Sequence, residues 1–161
     1  MKKLINALVI LLLLISYQGY SQCKVQTSKS SNGVTFKYLN SENVGAGTGC
    51  ELGVSISTNG TNFFFNTNIK YAKKPVKSGG TLIVALKNNQ SLNLKLYNCQ
   101  IAKSKTSEIV MGVYSLSQGE IDILKKSPIE QIVFQEAGGK NQSVHLSKNF
   151  DVALRHIKCL E

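Results

Sequence analysis

Apolar and polar residues alternate along most of the chain after residue 33, a period of two that is typical of β-strands with one buried face. Polar segments that favour turns separate the alternating runs, and the Asn59-Gly60 pair is the strongest of these turn signals because both residues tolerate a positive φ. The pattern predicts eight strands, at residues 34–39, 52–57, 62–71, 81–86, 91–97, 109–114, 129–135 and 143–147. Three pairs of neighbours are predicted to form hairpins: 52–57 with 62–71, 81–86 with 91–97 across the turn at 87–90, and 129–135 with 143–147.

Two segments carry helical signals instead. Ser117 and Glu120 form a capping-box pattern, which predicts a short helix near 118–126 that ends before Pro128. Phe150, Leu154 and Ile157 recur at helical spacing and predict a C-terminal helix near 149–160.

The strands do not alternate regularly with helices, so a parallel nucleotide-binding sheet is disfavoured. We expect a mainly β (α+β) fold, an antiparallel sandwich or partly closed barrel of about seven or eight strands with the two helices. Residues 24–33 are polar and are expected to form a loose lead-in. The glycine-rich residues 45–49 are expected to form a flexible loop, since Cys50 stands where a dinucleotide fingerprint needs a third glycine.

The first 21 residues have the three regions of a secretory signal peptide: Lys2 and Lys3, an apolar run at 4–15, and an exit ending in Ser21. We expect a single exported domain at 22–161, periplasmic or secreted, without a transmembrane segment. Two alternatives are an uncleaved anchor and a lipid anchor at Cys23, and Gln22 argues against the lipid anchor because a smaller residue normally precedes such a cysteine.

The chain is basic, with 19 lysines and arginines against 9 acidic residues and a formal net charge of +10. Removing Lys2 and Lys3 with the leader would leave +8, so the excess belongs to the exported domain. Such charge suits an acidic envelope component or another protein as partner, whereas nucleic acid is not expected for an exported protein. The densest positive segment, hereafter the lysine cluster, comprises Lys70, Lys73, Lys74 and Lys77.

Four cysteines in an exported chain predict disulfides. Of the three possible pairings we favour Cys23 with Cys159 and Cys50 with Cys99, the former because chain termini often lie close together. The alternative is that some of the cysteines are free and buried as small apolar residues. A zinc site formed by Cys99, Cys159, His145 and His156 lacks the close ligand pairs that seed one, so no metal and no cofactor is expected.

No residue is predicted to be catalytic. His145, on a strand, and His156, in the last helix, have no evident partner in the sequence, and the carboxylates are scattered. Phe64 is the more suggestive residue, because alternation places its ring among Asn62, Asn66 and Asn68. An apolar ring among amides is typical of a carbohydrate or protein contact surface, although another element could simply cover it.

The closing segment, residues 117–134 followed by 144–160, resembles in its pattern the ends of small uncharacterised exported β-rich proteins of Gram-negative bacteria. The resemblance covers the C-terminal third and implies a bacterial periplasmic or secreted setting. It implies no activity and no site residues.

These observations favour a non-enzymatic binding or interaction domain of the cell envelope or exterior, with the lysine cluster and the face around Phe64 as its surfaces. The alternatives are a small secreted hydrolase that uses His145, and an inhibitor of an extracellular enzyme.

Overall fold

The structure is a computed structural model that describes residues 23–30, 32–103 and 107–161, so the predicted leader lies outside the described residues. The first helix, α1, is Gln118–Leu124 and the second, α2, is Val152–Leu160. The strands are β1 (Gln26–Lys29), β2 (Thr35–Tyr38), β3 (Glu42–Gly47), β4 (Cys50–Thr58), β5 (Phe63–Tyr71), β6 (Ser78–Leu86), β7 (Ser91–Lys103), β8 (Glu108–Leu116), β9 (Ile129–Glu136) and β10 (Asn141–His145).

All ten strands pair antiparallel in one sheet that is not closed, which confirms the mainly β (α+β) fold class. The strand order is β1-β2-β4-β5-β8-β7-β6-β9-β10, with β3 paired to β4. β7 belongs to both halves of the sheet: its residues 91–95 pair with β6, and its later residues pair with β8. The ladder shifts register between Leu96 and Asn98, so Tyr97 is an extra, bulged residue at the bend.

The eight predicted strands are present, and two more lie where the sequence indicated loops. β1 falls in the expected lead-in; its four residues are all exposed, so it has no apolar alternation to reveal it. β3 includes part of the expected glycine-rich loop. Gly45 is needed there for close packing, because a Cβ at this position would lie 2.8 Å from the carbonyl oxygen of His145.

The apolar core lies inside the curled sheet, where alternate residues of neighbouring strands meet. Val54 and Ile56 of β4, Phe65 of β5 and Leu82 of β6 are all fully buried. α2 adds Val152, Ala153 and Ile157 to the same core and packs against β4. Among the described residues, none of the helices has the length and apolar character needed to cross a membrane.

The two predicted helices are confirmed, with slightly different bounds. α1 begins with the predicted capping box, in which Ser117 accepts from the Glu120 amide and the Glu120 carboxylate accepts from the Ser117 amide. α2 begins at Val152 rather than near 149, because Asn149 adopts a left-handed conformation with a φ of 51°.

Candidate ligand-binding cleft

A cleft of about 930 Å³ lies on the outer face of the sheet, on the side opposite the core. Its floor is formed by β4, β5, β8 and the second half of β7, which are neighbours in the sheet. The β1–β2 hairpin forms a wall, because β2 pairs with β4 through only two residues and the hairpin then turns along the floor. Alternate hairpin residues line the cleft: Ser28, Ser30, Asn32, Val34, Phe36 and Tyr38.

Strand register arranges the floor side chains in rows that run across the four strands. Each row combines a small residue on β4, a larger one on β5, and outward residues of β8 and β7. One row is Ser55, Asn66, Val113 and Asn98, and the next is Gly53, Asn68, Met111 and Gln100. The amides on β5 and β7 are therefore separated by the apolar side chains of β8.

Three aromatic rings, hereafter the aromatic row, lie together at one end of the cleft. The Phe64 ring centroid lies 5.9 Å from that of Phe36 and 5.5 Å from that of Tyr97. Phe64 is only 5% exposed, whereas Tyr97 is 69% exposed. Phe64 therefore supports Tyr97 from below, and the bulge in β7 presents the Tyr97 ring to solvent.

Several polar groups of the cleft have hydrogen-bonding capacity to spare. The Asn66 amide donates to Ser57 Oγ at 3.0 Å, and the Gln100 amide lies 4.0 Å from the sulfur of Met111. Among the described residues, the amides of Asn68 and Asn98 have no such side-chain partner. The Ser41 hydroxyl is also unpartnered, and it occupies the space over Gly53 that a Cβ would fill.

None of the described residues that line the cleft carries a charged side chain. The nearest charged residue on β5 is Lys70, two residues beyond Asn68. Asn68 lines the cleft, whereas Lys70 does not and is paired with Glu51 of β4. The four lysines of the lysine cluster are exposed, on the end of β5 and the loop that follows it. The structure thus separates the two surfaces that the sequence suggested, the lysine cluster and the Phe64 face.

Sequence reasoning found Phe64 and its amide neighbours but missed Tyr97, Asn98 and Gln100. These residues reach the cleft only because β8, which is distant in sequence from β5, pairs with β5 on one side and with β7 on the other. The hairpin wall gave no signal in the sequence before residue 34, because Ser28, Ser30 and Asn32 are flanked by equally polar residues.

Cys23 and Cys159 form the expected disulfide, with their Cα atoms 5.6 Å apart. The expected bond between Cys50 and Cys99 is not formed, and both residues are free. β5 and β8 lie between their strands, a separation of roughly 14 Å measured along the sheet, whereas a disulfide needs Cα atoms within about 7 Å. Burial raises the pKa of the Cys50 thiol, which keeps it protonated.

The two histidines lie outside the cleft. His145 is exposed on β10, with its Nε2 3.1 Å from the side-chain nitrogen of Gln131. His156 is 2% exposed in α2; its Nδ1 accepts from the Ile56 amide at 3.3 Å, so its Nε2 carries the hydrogen and donates to Glu42 at 3.0 Å. Arg155 donates two hydrogen bonds of 2.9 Å to the same carboxylate. His156 and Arg155 together therefore join α2 to the sheet.

Within the described residues, no three His, Cys, Asp or Glu side chains are grouped so that they could hold a metal ion. Cys159, one of the residues considered for zinc, is occupied by its disulfide.

Comparison with protein-family models, curated proteins and solved structures gave no match to this chain.

Proposed function

We propose that the chain is an exported, non-enzymatic binding domain whose ligand, an uncharged molecule, occupies the cleft on the outer face of the sheet. One observation carries the proposal: a cleft of about 930 Å³ is lined, among the described residues, by uncharged side chains alone, in a chain whose net charge is +10. Its volume falls in the range of small-molecule sites.

The uncharged lining determines which ligands gain from entering. A charged ligand would lose hydration there without gaining an opposite charge, which is costly. An uncharged ligand with hydroxyl or amide groups can replace its water contacts with the side chains of Asn68 and Asn98. The aromatic row adds apolar surface for the parts of the ligand that carry no polar group.

Export is supported by independent features of the chain. The first 21 residues have the pattern of a secretory leader, and a disulfide such as Cys23–Cys159 persists in oxidising compartments. Together with the resemblance of the C-terminal third, they favour the periplasm or exterior of a Gram-negative cell. An acidic envelope component remains a hypothesis for the lysine cluster, separate from the cleft.

The proposal is tested by mapping amide chemical shifts of the isotope-labelled protein with a probe panel. The panel contains neutral oligosaccharides, an uncharged peptide of Ser, Asn and Gly, and acidic polygalacturonate fragments. We expect an uncharged probe to shift resonances of Asn66, Asn68 and Asn98, with an affinity that added salt leaves unchanged because no charges pair.

The matched variants are Asn98→Lys, in the cleft, and Asn93→Lys, exposed on the same strand outside it. We expect Asn98→Lys to abolish the shifts and Asn93→Lys to leave them intact. Salt-sensitive binding of the acidic probe at the lysine cluster, with no response of the cleft to any uncharged probe, would overturn the proposal.

A further inference from the structure

We infer that the ligand of the cleft is a neutral oligosaccharide, bound with a sugar ring on the Tyr97 face and its hydroxyls on the surrounding amides. This inference rests on the proposed function and narrows the uncharged ligand to one chemical class.

The polar groups of the cleft are of the kind that hydrogen-bond sugar hydroxyls. Each hydroxyl both donates and accepts, and each Asn or Gln amide does the same through its nitrogen and oxygen. Asn66 and Asn68 on β5 face Asn98 and Gln100 on β7 across the single strand β8. The two amide pairs are roughly 10 Å apart. A further sugar ring of the oligosaccharide, resting on Val113 and Met111, would therefore have amides on both sides.

Tyr97 supplies the stacking surface that sugars need. The axial C–H groups on one face of a sugar ring are weakly positive, and the face of an aromatic ring is negative, so the two faces attract when they stack. The Tyr97 ring is 69% exposed while Phe64 supports it at 5.5 Å, so the platform is both accessible and held in place. Contact between the exposed aromatic ring and water is unfavourable in the free protein, and a stacked sugar removes part of the ring from water.

The position of the cleft disfavours an extended peptide as ligand. Peptides commonly bind by adding a strand to an open sheet edge, where unpaired backbone groups are available. Here the floor is the face of the sheet, and the backbones of β5 and β8 pair with strands on both sides. A peptide lying on this floor would have to satisfy its backbone amides with the floor side chains.

An acidic sugar is disfavoured for a different reason. A uronate or sulfate gains most from a guanidinium or ammonium group, and the lining residues that the structure describes supply neither. The lysine cluster lies past the Lys70 end of the floor and does not line the cleft.

The test is isothermal titration calorimetry of the full protein with cellohexaose, maltohexaose and laminarihexaose, and with the uncharged peptide and polygalacturonate as comparisons. We expect at least one neutral hexasaccharide to bind. Replacing Tyr97→Ala should weaken that binding about tenfold, because the stacking contact is lost. Tyr97→Phe keeps the ring and should stay within about twofold.

Asn98→Lys should reduce the affinity by about tenfold or more, since it removes an amide and adds an unpaired charge. Asn93→Lys carries the same charge outside the cleft and should bind like the unchanged protein. Near-native unfolding curves for the Tyr97 variants are expected because this side chain is mostly exposed.

The outcomes separate this inference from the function on which it rests. If the uncharged peptide binds in the cleft and none of the three sugars does, the sugar inference is overturned and the binding-domain proposal stands. If no uncharged probe binds, both are overturned. Sugar binding that Tyr97→Ala and Asn98→Lys leave unchanged would likewise overturn the inference, because the sugar would then lie elsewhere.

Discussion

The stability of the folded protein depends on pH through one buried residue, His156. Burial lowers its pKa below the ordinary value of 6.5, although its hydrogen bond to Glu42 acts in the opposite direction. The unfolded chain therefore takes up a proton at a higher pH than the folded chain does. The resulting stability is fully present above about pH 6.5, and it is lost as the pH falls through the lowered pKa of the folded state.

We predict that the free energy of unfolding decreases between about pH 7 and about pH 5, with a slope of at most about 1.4 kcal/mol per pH unit from this one proton. The measurement is urea unfolding at a series of pH values. Glu42, whose own pKa is lowered chiefly by its hydrogen bond to Arg155, loses its contribution only below its ordinary value of 4.5.

The chain has two histidines, and the other provides the control. His156→Gln should flatten the pH dependence, because the amide can keep both hydrogen bonds without titrating in this range. His145→Gln should preserve the slope, since His145 is exposed on β10. A slope that survived in His156→Gln would contradict the assignment.

At this scale the sequence predicted some residues and missed others for a clear physical reason. Phe64 was identified because its amide neighbours are two and four residues away. The role of His156 could not be, because its partners Glu42 and Ile56 are 114 and 100 residues distant in sequence. Only the folded chain brings them together.

Among the elements, β3 depends on a glycine for its position. Gly45 lies where β3 approaches the segment after β10, and Ser147 donates its amide to Val44 there at 2.9 Å. A Cβ on Gly45 would meet the backbone oxygen of His145 at 2.8 Å, a neighbour that cannot rotate away. We predict that Gly45→Ala lowers the free energy of unfolding by about 1–3 kcal/mol.

Gly80→Ala is the matched control, since this strand glycine has open space where its Cβ would be added. Its unfolding free energy should change by less than about 1 kcal/mol. Both variants can be compared by urea unfolding at neutral pH. Equal effects would mean that loss of backbone flexibility, rather than the close approach, determines the cost.

The alternation of apolar and polar residues predicts strands that bury one face, and β1 and β3 lack that alternation. β6 and β7 bury alternate residues and were predicted as a hairpin across the turn at 87–90, which their pairing confirms. β1 has no buried residue, and β3 is interrupted by glycines, so neither produces a period-two signal. Their strand conformation comes from pairing with β2 and β4.

At the scale of the whole molecule, local pattern does not determine strand order. The sequence predicted hairpins between neighbours, yet β5 pairs with β8 and β6 with β9, across long intervening segments. The cleft depends on these non-local pairings, because its floor combines β4, β5, β8 and β7. The class of fold was therefore predictable, whereas the shape of the candidate site was not.

The Cys23–Cys159 disulfide ties the segment before β1 to α2. The two cysteines are 136 residues apart. Closing a loop of that length restricts the unfolded chain, so we predict that replacing both by Ser lowers the free energy of unfolding by about 4–5 kcal/mol in the chain-entropy model. Urea unfolding of the oxidised protein and of the double variant measures this difference.

The control is Cys99→Ser, which removes a free thiol and leaves the disulfide intact. Its unfolding should respond to reductant as the unchanged protein does. Alkylation under denaturing conditions, followed by mass measurement, should label Cys50 and Cys99 alone before reduction. Labelling of neither residue would show that these two are joined in solution.

The long reach of this disulfide also sets an order of events during biosynthesis. Cys159 follows all ten strands in the chain, so the bond cannot close until the whole sheet has left the ribosome. A chain halted earlier carries Cys23 as a reactive thiol beside Cys50 and Cys99, with only wrong partners available. Productive oxidation is thus a late step, which makes the bond a marker of chains whose synthesis has passed α2.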